Sequence, residues 1–383
     1  MITRDIHYIG TNDDSIDLFE GQYVVPNGIS YNSYVIMDEK IAVMDTVDKR
    51  KGEEYLKNLE KVLEGRTPDY LVLSHLEPDH GSSVQAFMEK YPDVTLVGNA
   101  KTFQMLPLFF QGEVKEKLTV KEGETLNLGQ HTLSFIMAPM VHWPEVMMTY
   151  DSFDKVLFSA DAFGKFGTLD KEEPWEKEAR RYYFNIVGKY GPQVQAVLKK
   201  AANLEIQQIC PLHGPVLKES ISRVLKLYQI WSTYEPEAEG VFIAYASLHG
   251  NTGKAAQRLA EILKEKGCQE VTVMDLARSD TSEAVECAFR YGKVVLASAS
   301  YNAGVVPCME DLLHHLKGKN YQKRKVGLME NGAWAPCAVR TMKDMLAQMK
   351  DISVAETAVT LRGVLKESDE AALEALAEEM LKL

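Results

Sequence analysis

The sequence predicts two domains of different class: an α+β sandwich of two facing sheets with helices outside, then a doubly wound α/β domain with a five-stranded parallel sheet. Three observations predict it. In the first part of the chain, short apolar runs of strand length crowd together and helical patterns are sparse. In the last part, strand and helix patterns alternate strictly. Between the two lies an acidic seam, Thr233-Tyr234-Glu235-Pro236-Glu237-Ala238-Glu239-Gly240, whose Pro and Gly suit neither rhythm. The expected domains are therefore 1–238 and 239–383.

Before the seam, Ser33–Met37 and Ile41–Val47 read as a hairpin. Tyr55–Leu63 reads as an amphipathic helix, with Leu56, Leu59, Val62 and Leu63 at helical spacing. Tyr70–Ser74, Val94–Val97, Thr125–Leu128, Thr132–Met137, Val146–Tyr150 and Lys155–Ser159 read as strands. Helical spacing returns at Glu178–Ile186, Val194–Asn203 and Ile221–Tyr234. After the seam the expected strands are Val241–Ser247, Glu270–Leu276, Lys293–Ser300, Lys325–Glu330 and Glu356–Leu361. The first helix there runs from Thr252 to about Lys266 and stops at Gly267, a left-handed cap. Others follow near Ser282–Tyr291, Met309–Leu316, Cys337–Met349 and Asp369–Leu381, the last with Ser368 as N-cap.

Composition excludes several classes. The chain has 383 residues, 45% hydrophobic, and a formal net charge of −12. That is ample for sizeable cores and leaves no basic stripe to track nucleic acid or an anionic membrane. Five cysteines, none in a C-x-x-C pair, exclude a disulfide framework or a zinc ribbon. The start, MITRDIHYIG, lacks a signal-peptide pattern, and no run approaches the roughly 20 apolar residues of a membrane span. The expected location is the cytoplasm.

The most informative segment is Leu73-Ser74-His75-Leu76-Glu77-Pro78-Asp79-His80-Gly81. Four ligand-type residues fall in six positions directly after an apolar strand. A tight loop leaving a strand can turn them toward one point, whereas positions 75, 77 and 79 share no helical face and Pro78 argues against a helix. Any one of these residues alone fits a polar surface loop better than a ligand; four together do not. Three later apolar runs also end in ligand-type residues: His142 after Ile136–Val141, Asp161 after Val156–Ala160, and His213 after Ile209–Leu212. Seven ligands exceed the needs of one ion, so two metals are implied. His75, Glu77 and His142 would hold one, Asp79, His80 and His213 the other, and Asp161 would bridge. Imidazole and carboxylate without thiolate suit iron, manganese or zinc. No catalytic residue beyond these ligands is expected.

The C-terminal pattern also points to a ligand. Ser247-Leu248-His249-Gly250-Asn251-Thr252 joins the first strand to its helix, with backbone N–H groups and small polar side chains at a helix N-terminus. It is neither G-x-G-x-x-G nor a Walker motif. Ser298-Ala299-Ser300-Tyr301-Asn302 with Gly304 follows the third strand, and Asn331-Gly332-Ala333-Trp334 follows the fourth. Each of these two loops offers an aromatic ring amid small residues. Three such loops at the carboxyl edge of one sheet favour a mononucleotide flavin, and the domain size fits the flavodoxin-like version of the fold.

The H-x-E-x-D-H cluster resembles the metal motif of the metallo-β-lactamase superfamily in its diiron variant. Glu77 stands where the hydrolytic members favour histidine, and a Glu there marks the flavodiiron proteins, the A-type flavoproteins that include rubredoxin–oxygen oxidoreductases. Gly28–Ile36, His142-Trp143-Pro144, Ser159–Gly164, Arg181-Tyr182-Tyr183 and Pro211–Pro215 are similar to that family too, and the likeness spans essentially the whole chain. It implies a metallo-β-lactamase-like αββα domain followed by a flavodoxin-like domain. It further implies FMN on the three loops and two non-haem irons on His75, Glu77, Asp79, His142, Asp161 and His213, with His80 not a constant iron ligand in the family. The implied function is an oxidoreductase passing electrons from FMN to a diiron centre that reduces dioxygen to water, nitric oxide to nitrous oxide, or both. A separate rubredoxin-like or flavin reductase donor and a head-to-tail homodimer or homotetramer are implied as well. The alternative is a zinc-dependent hydrolase fused to a flavodoxin electron carrier. Two departures stand out. Lys165-Phe166 occupies a place near the substrate pocket where the family commonly has Gln-His, and Ala299 one where it often has Pro.

Overall fold

The structure is a computed structural model that describes residues 2–109, 111, 112 and 114–382. The chain divides into two compact units, Met1–Gln229 and Ile230–Leu383, with the helix Ile221–Ser232 running across the division.

The first unit holds two sheets. One has six strands in the order Ile6–Tyr8, Tyr34–Ile36, Ala42–Met44, Tyr70–Val72, Thr95–Gly98 and Glu116–Thr119. The other has five, Thr125–Asn127, Thr132–Met137, Met147–Asp151, Val156–Phe158 and Gln208–Cys210. Tyr34, Ile36, Met44, Val72 and Val97 of the first share one core with Leu133, Phe135, Met147, Val156 and Phe158 of the second. Each such side chain removed from water stabilises the fold by about 1.5–3 kcal/mol. The helix Gly52–Leu63 buries Tyr55, Leu59 and Leu63 at steps of four, and its basic and acidic residues face outward. It ends where Glu64 and Gly65 both take positive φ. Tyr34–Ile36 and Ala42–Met44 form the expected hairpin. The strands Ile6–Tyr8 and Glu116–Thr119 were not legible, the latter because all four residues are exposed.

Two local expectations for the first unit are corrected. Pro78–Gly81 forms a single α-helical turn. Pro78 occupies its first position, where the missing N–H has no partner to lose, so proline opens this helix rather than forbidding it. The helix expected over Glu178–Ile186 is α-helical only over Trp175–Tyr182, then widens into a π-helix over Tyr183–Val187.

The second unit is a parallel sheet in the order Val271–Asp275, Ala238–Ala246, Tyr291–Tyr301, Gln322–Asn331 and Lys350–Leu361, that is, 2-1-3-4-5 in chain order. The order reverses between the first and third strands, which opens a crevice at their carboxyl ends. The helix Asn251–Glu265 packs Ala255, Ala256, Leu259 and Leu263 on this sheet and is followed by Gly267 at φ 95°. At the last helix, Glu370–Leu381, the N-cap is Asp369 and not Ser368. A 3-10 turn over Glu367–Asp369 shifts the start, and the Asp369 carboxylate accepts the Lys366 amide at 2.8 Å.

Candidate metal centre and flavin pocket

All seven sequence-selected metal residues converge at one end of the sandwich, Asp79 and His80 from the helical turn Pro78–Gly81 and the other five from connections that follow strands. They form two buried groups. In the first, His142 Nε2 lies 3.0 Å from Glu77 Oε2 and 3.0 Å from Asp161 Oδ2, and His75 Nε2 lies 3.3 Å and 3.6 Å from the same two atoms. In the second, His80 Nε2 lies 3.2 Å from Asp79 Oδ2, 3.2 Å from Asp161 Oδ1 and 3.1 Å from His213 Nε2. His213 Nε2 is 3.2 Å from Asp79 Oδ2. Asp161 therefore presents one oxygen to each group.

These spacings fit metal ions. Two ligand atoms about 2.1 Å from a common ion and at right angles lie about 3 Å apart. Both Asp79 oxygens and Asp161 Oδ1 are buried without a hydrogen-bond partner, a cost that a cation between the groups would remove. The electrostatics agree. Burial disfavours charge on Asp161, yet His75, His142 and His80 hold its carboxyl well below the usual range. Burial likewise works against charge on His75, but Asp161, Glu145 and Glu77 raise its pKa well above the ordinary imidazole value. The pocket favours positive charge at its centre.

Partners outside the seven fix the rings. His75 Nδ1 lies 2.8 Å from the buried Glu145 Oε1, which also accepts the Leu76 amide at 2.9 Å. His213 Nδ1 lies 2.7 Å from the Ser30 carbonyl. Both contacts place the proton on Nδ1 and leave Nε2 for a metal. The Asp45 carboxylate accepts the Ser74 amide at 2.6 Å and tethers the loop. Backbone at Ala160 and Phe163 takes φ of 50° and 69° on either side of Asp161, strain held beside the carboxylate that faces both groups. Glu145→Ala is expected to weaken metal retention by ~10–100-fold, with Glu145→Gln in between; iron release to a chelator measures it, and unchanged release would remove Glu145 from this role.

Sequence reasoning missed Glu145, Ser30 and the aromatic wall. Phe19, Tyr182 and Tyr31 stand edge-on or tilted to His213, with ring centroids at 5.5, 5.5 and 6.2 Å. The Tyr182 hydroxyl is buried without a hydrogen-bond partner. Phe166 packs behind Phe19 and Tyr182 at 5.6 and 5.1 Å, and Lys165 turns away, its Nζ on Phe166 O at 2.9 Å and Glu173 Oε2 at 3.3 Å. A carboxylate three residues after His142 was the available signal for Glu145; nothing local marked Ser30.

In the second unit the three loops enclose a cavity of about 740 Å³, within the range of small-molecule sites. Ser247, Leu248, His249, Asn251, Thr252, Ala299, Ser300, Tyr301, Asn302, Asn331, Gly332, Ala333 and Trp334 line it. Gly250, Ser298 and Gly304 do not. Gly250 instead turns the chain at φ 84° into the helix, and the Ser298 hydroxyl accepts the Val306 amide at 3.2 Å. Ser247 Oγ is buried without a partner beside the helix N-terminus, which suits a phosphate oxygen. Trp334 is 89% exposed and Tyr301 42%, free to flank a planar ring. Arg340, Cys337 and Gly363 also line the cavity and carried no sequence signal.

Fold and site together define a two-domain flavoprotein with a dinuclear metal centre. Residues 29–214 match the family described as ODP family beta lactamase, and residues 243–379 match flavodoxin. An uncharacterized protein of Methanocaldococcus jannaschii is 30% identical over 96% of this chain and 94% of its own. The anaerobic nitric oxide reductase flavorubredoxin of Vibrio vulnificus is 29% identical over 94% of this chain and 74% of its own. The structure of rubredoxin oxygen:oxidoreductase from Desulfovibrio gigas superposes with a TM-score of 0.92 at 28% identity, covering 99% of this chain and 97% of that one. The chain belongs to the flavodiiron protein family, whose cofactors are FMN and a non-haem diiron centre. Among the described residues, no helix is long and apolar enough to cross a membrane.

Proposed function

We propose that this protein is an oxidoreductase that passes electrons from FMN to its diiron centre and there reduces dioxygen to water, nitric oxide to nitrous oxide, or both. The observation that carries the proposal is the pair of buried donor groups sharing Asp161, in a chain that also carries the flavin cavity. When bound, FMN supplies electrons and the iron pair supplies the place where the gas is reduced. The chain's residues do the rest. His75, Glu77, His142 and Asp161 are assigned to one iron, and Asp79, His80, His213 and Asp161 to the other. Glu145 and the Ser30 carbonyl orient the imidazoles. Phe19, Tyr31 and Tyr182 exclude water beside His213, and the Tyr182 hydroxyl is a hydrogen-bond donor held ready near the carboxylates.

The Vibrio relative is named for nitric oxide reduction and the Desulfovibrio structure for oxygen, so both gases belong in the test. Purified protein is reduced under anaerobic conditions, then given oxygen or nitric oxide separately. Consumption of at least one, at a rate set by bound iron, is expected; consumption of neither by iron- and FMN-replete protein would end the proposal. The zinc-hydrolase alternative is disfavoured by Glu77. Stoichiometric zinc, no iron and esterase activity would restore it.

We further propose a cytoplasmic protein with a rubredoxin-like or flavin reductase donor. Its five free cysteines suit a reducing compartment. We also propose a head-to-tail homodimer or homotetramer in which the flavin of one chain serves the diiron site of another; such a two-fold pairing creates two equivalent sites. The test mixes two inactive variants, Asp161→Ala and Asn251→Glu/Thr252→Glu. Transfer between chains predicts that activity returns after subunit exchange, because mixed dimers pair one intact flavin with one intact metal site. Proven heterodimers that stay inactive would refute it.

A further inference from the structure

The first unit holds a third group of metal-ligating side chains, separate from the seven above. His131, Asp151 and Asp154 each offer a donor atom, and these atoms lie within 4.8 Å of one another. His131 stands immediately before the strand Thr132–Met137, Asp151 ends the strand Met147–Asp151, and Asp154 lies in the turn that follows. His142 comes after the other end of Thr132–Met137. The group therefore sits one strand length, about 20 Å, from the diiron ligands.

His131 is 1% exposed and Asp151 is fully buried. His131 Nδ1 lies 3.0 Å from Asp151 Oδ2, the separation of two ligand atoms at right angles on one ion. Asp154 Oδ2 is buried without a hydrogen-bond partner, and so is the second ring nitrogen, His131 Nε2. That nitrogen lies 3.7 Å from Asp5 Oδ2. Asp38 stands close as well, its Oδ2 accepting the His131 amide at 2.7 Å. Four carboxylates thus surround one imidazole. Arg4 reaches Asp5 only at 3.9 Å, with its side chain 95% exposed. Asp151 is the fully buried one of the four, with the Asp154 amide donating to its Oδ2 at 2.9 Å, and the other three are half-buried. Carboxylate charge drawn together away from water is costly unless a cation pairs with it.

We infer that His131 Nδ1, Asp151 and Asp154 form a site for a divalent transition-metal cation, of which zinc is the representative. Mixed imidazole and carboxylate donors suit that ion. Asp5 then takes the role of the outer carboxylate, facing the N–H on His131 Nε2. The ion clips together the turns before Thr132–Met137 and after Met147–Asp151, with the N-terminal segment as outer support. Binding to the folded state alone makes it a structural staple.

The test uses holoprotein carrying iron and FMN, dialysed against zinc at micromolar concentration, with zinc, iron and flavin then counted per chain. One zinc per chain beyond a full iron complement is expected, with a rise in Tm on zinc addition. Asp154→Asn and His131→Phe should each lower zinc affinity about tenfold or more while iron and flavin contents stay at the wild-type level, which also shows that the variants fold. If iron-replete wild type retains no zinc, or if Asp154→Asn takes up as much as wild type, His131 is only an ion-paired imidazole and the site does not exist.

Discussion

Asp161→Ala is expected to abolish gas reduction and strip the metal pair while leaving the flavin in place. Both donor groups use this one carboxylate, Oδ2 facing His142 and Oδ1 facing His80. Its removal takes a ligand from each iron at once and leaves three buried imidazoles without their shared counter-charge. The loss should exceed the ~10–100-fold that removing an outer partner costs. Iron content and the flavin spectrum, measured on the same sample, check it: iron should fall well below two per chain with FMN unchanged. Two irons per chain with wild-type turnover would show that Asp161 does not bridge.

The converse result is expected from Asn251→Glu with Thr252→Glu. Both residues line the flavin cavity at the start of the helix Asn251–Glu265. A carboxylate about 4 Å from a phosphate charge costs about 4 kcal/mol at an effective dielectric near 20. That corresponds to FMN binding weakened on the order of a thousandfold. The helix dipole, which otherwise favours the phosphate, would be spent on the new acids. Flavin should be lost on gel filtration and iron retained. Full flavin content would mean that the phosphate lies elsewhere.

These two variants act on features that differ in how far the sequence reveals them. The candidate metal ligands, which the structure brings together, were legible because local chain geometry presents them: a ligand-type residue soon after a strand, repeated four times, with His75, Glu77, Asp79 and His80 packed into six positions. The parallel sheet was legible because buried strands of the second unit read as apolar runs between amphipathic helices. The flavin loops followed from that topology, since a doubly wound sheet opens its crevice at the carboxyl ends. Pro78 was misread, although its neighbours were not, because proline's effect depends on its position in the helical turn and not on its presence.

What the sequence by itself determined is the kind and order of the chemistry-bearing residues: imidazoles and carboxylates without thiolate in one part, small polar loops with an aromatic ring in the other. Only the tertiary structure decided which groups support them. Glu145 meets His75 across 70 positions, and the Ser30 carbonyl meets His213 across 183. Phe19, Tyr31 and Tyr182 come from separate segments to surround one ring. No periodicity encodes such contacts, because a hydrogen bond to a backbone carbonyl leaves no trace in residue type, and an aromatic residue that packs a pocket reads like any other core residue. The same holds for His131 and its carboxylates, which are scattered through ordinary turns and become neighbours only when the sandwich closes.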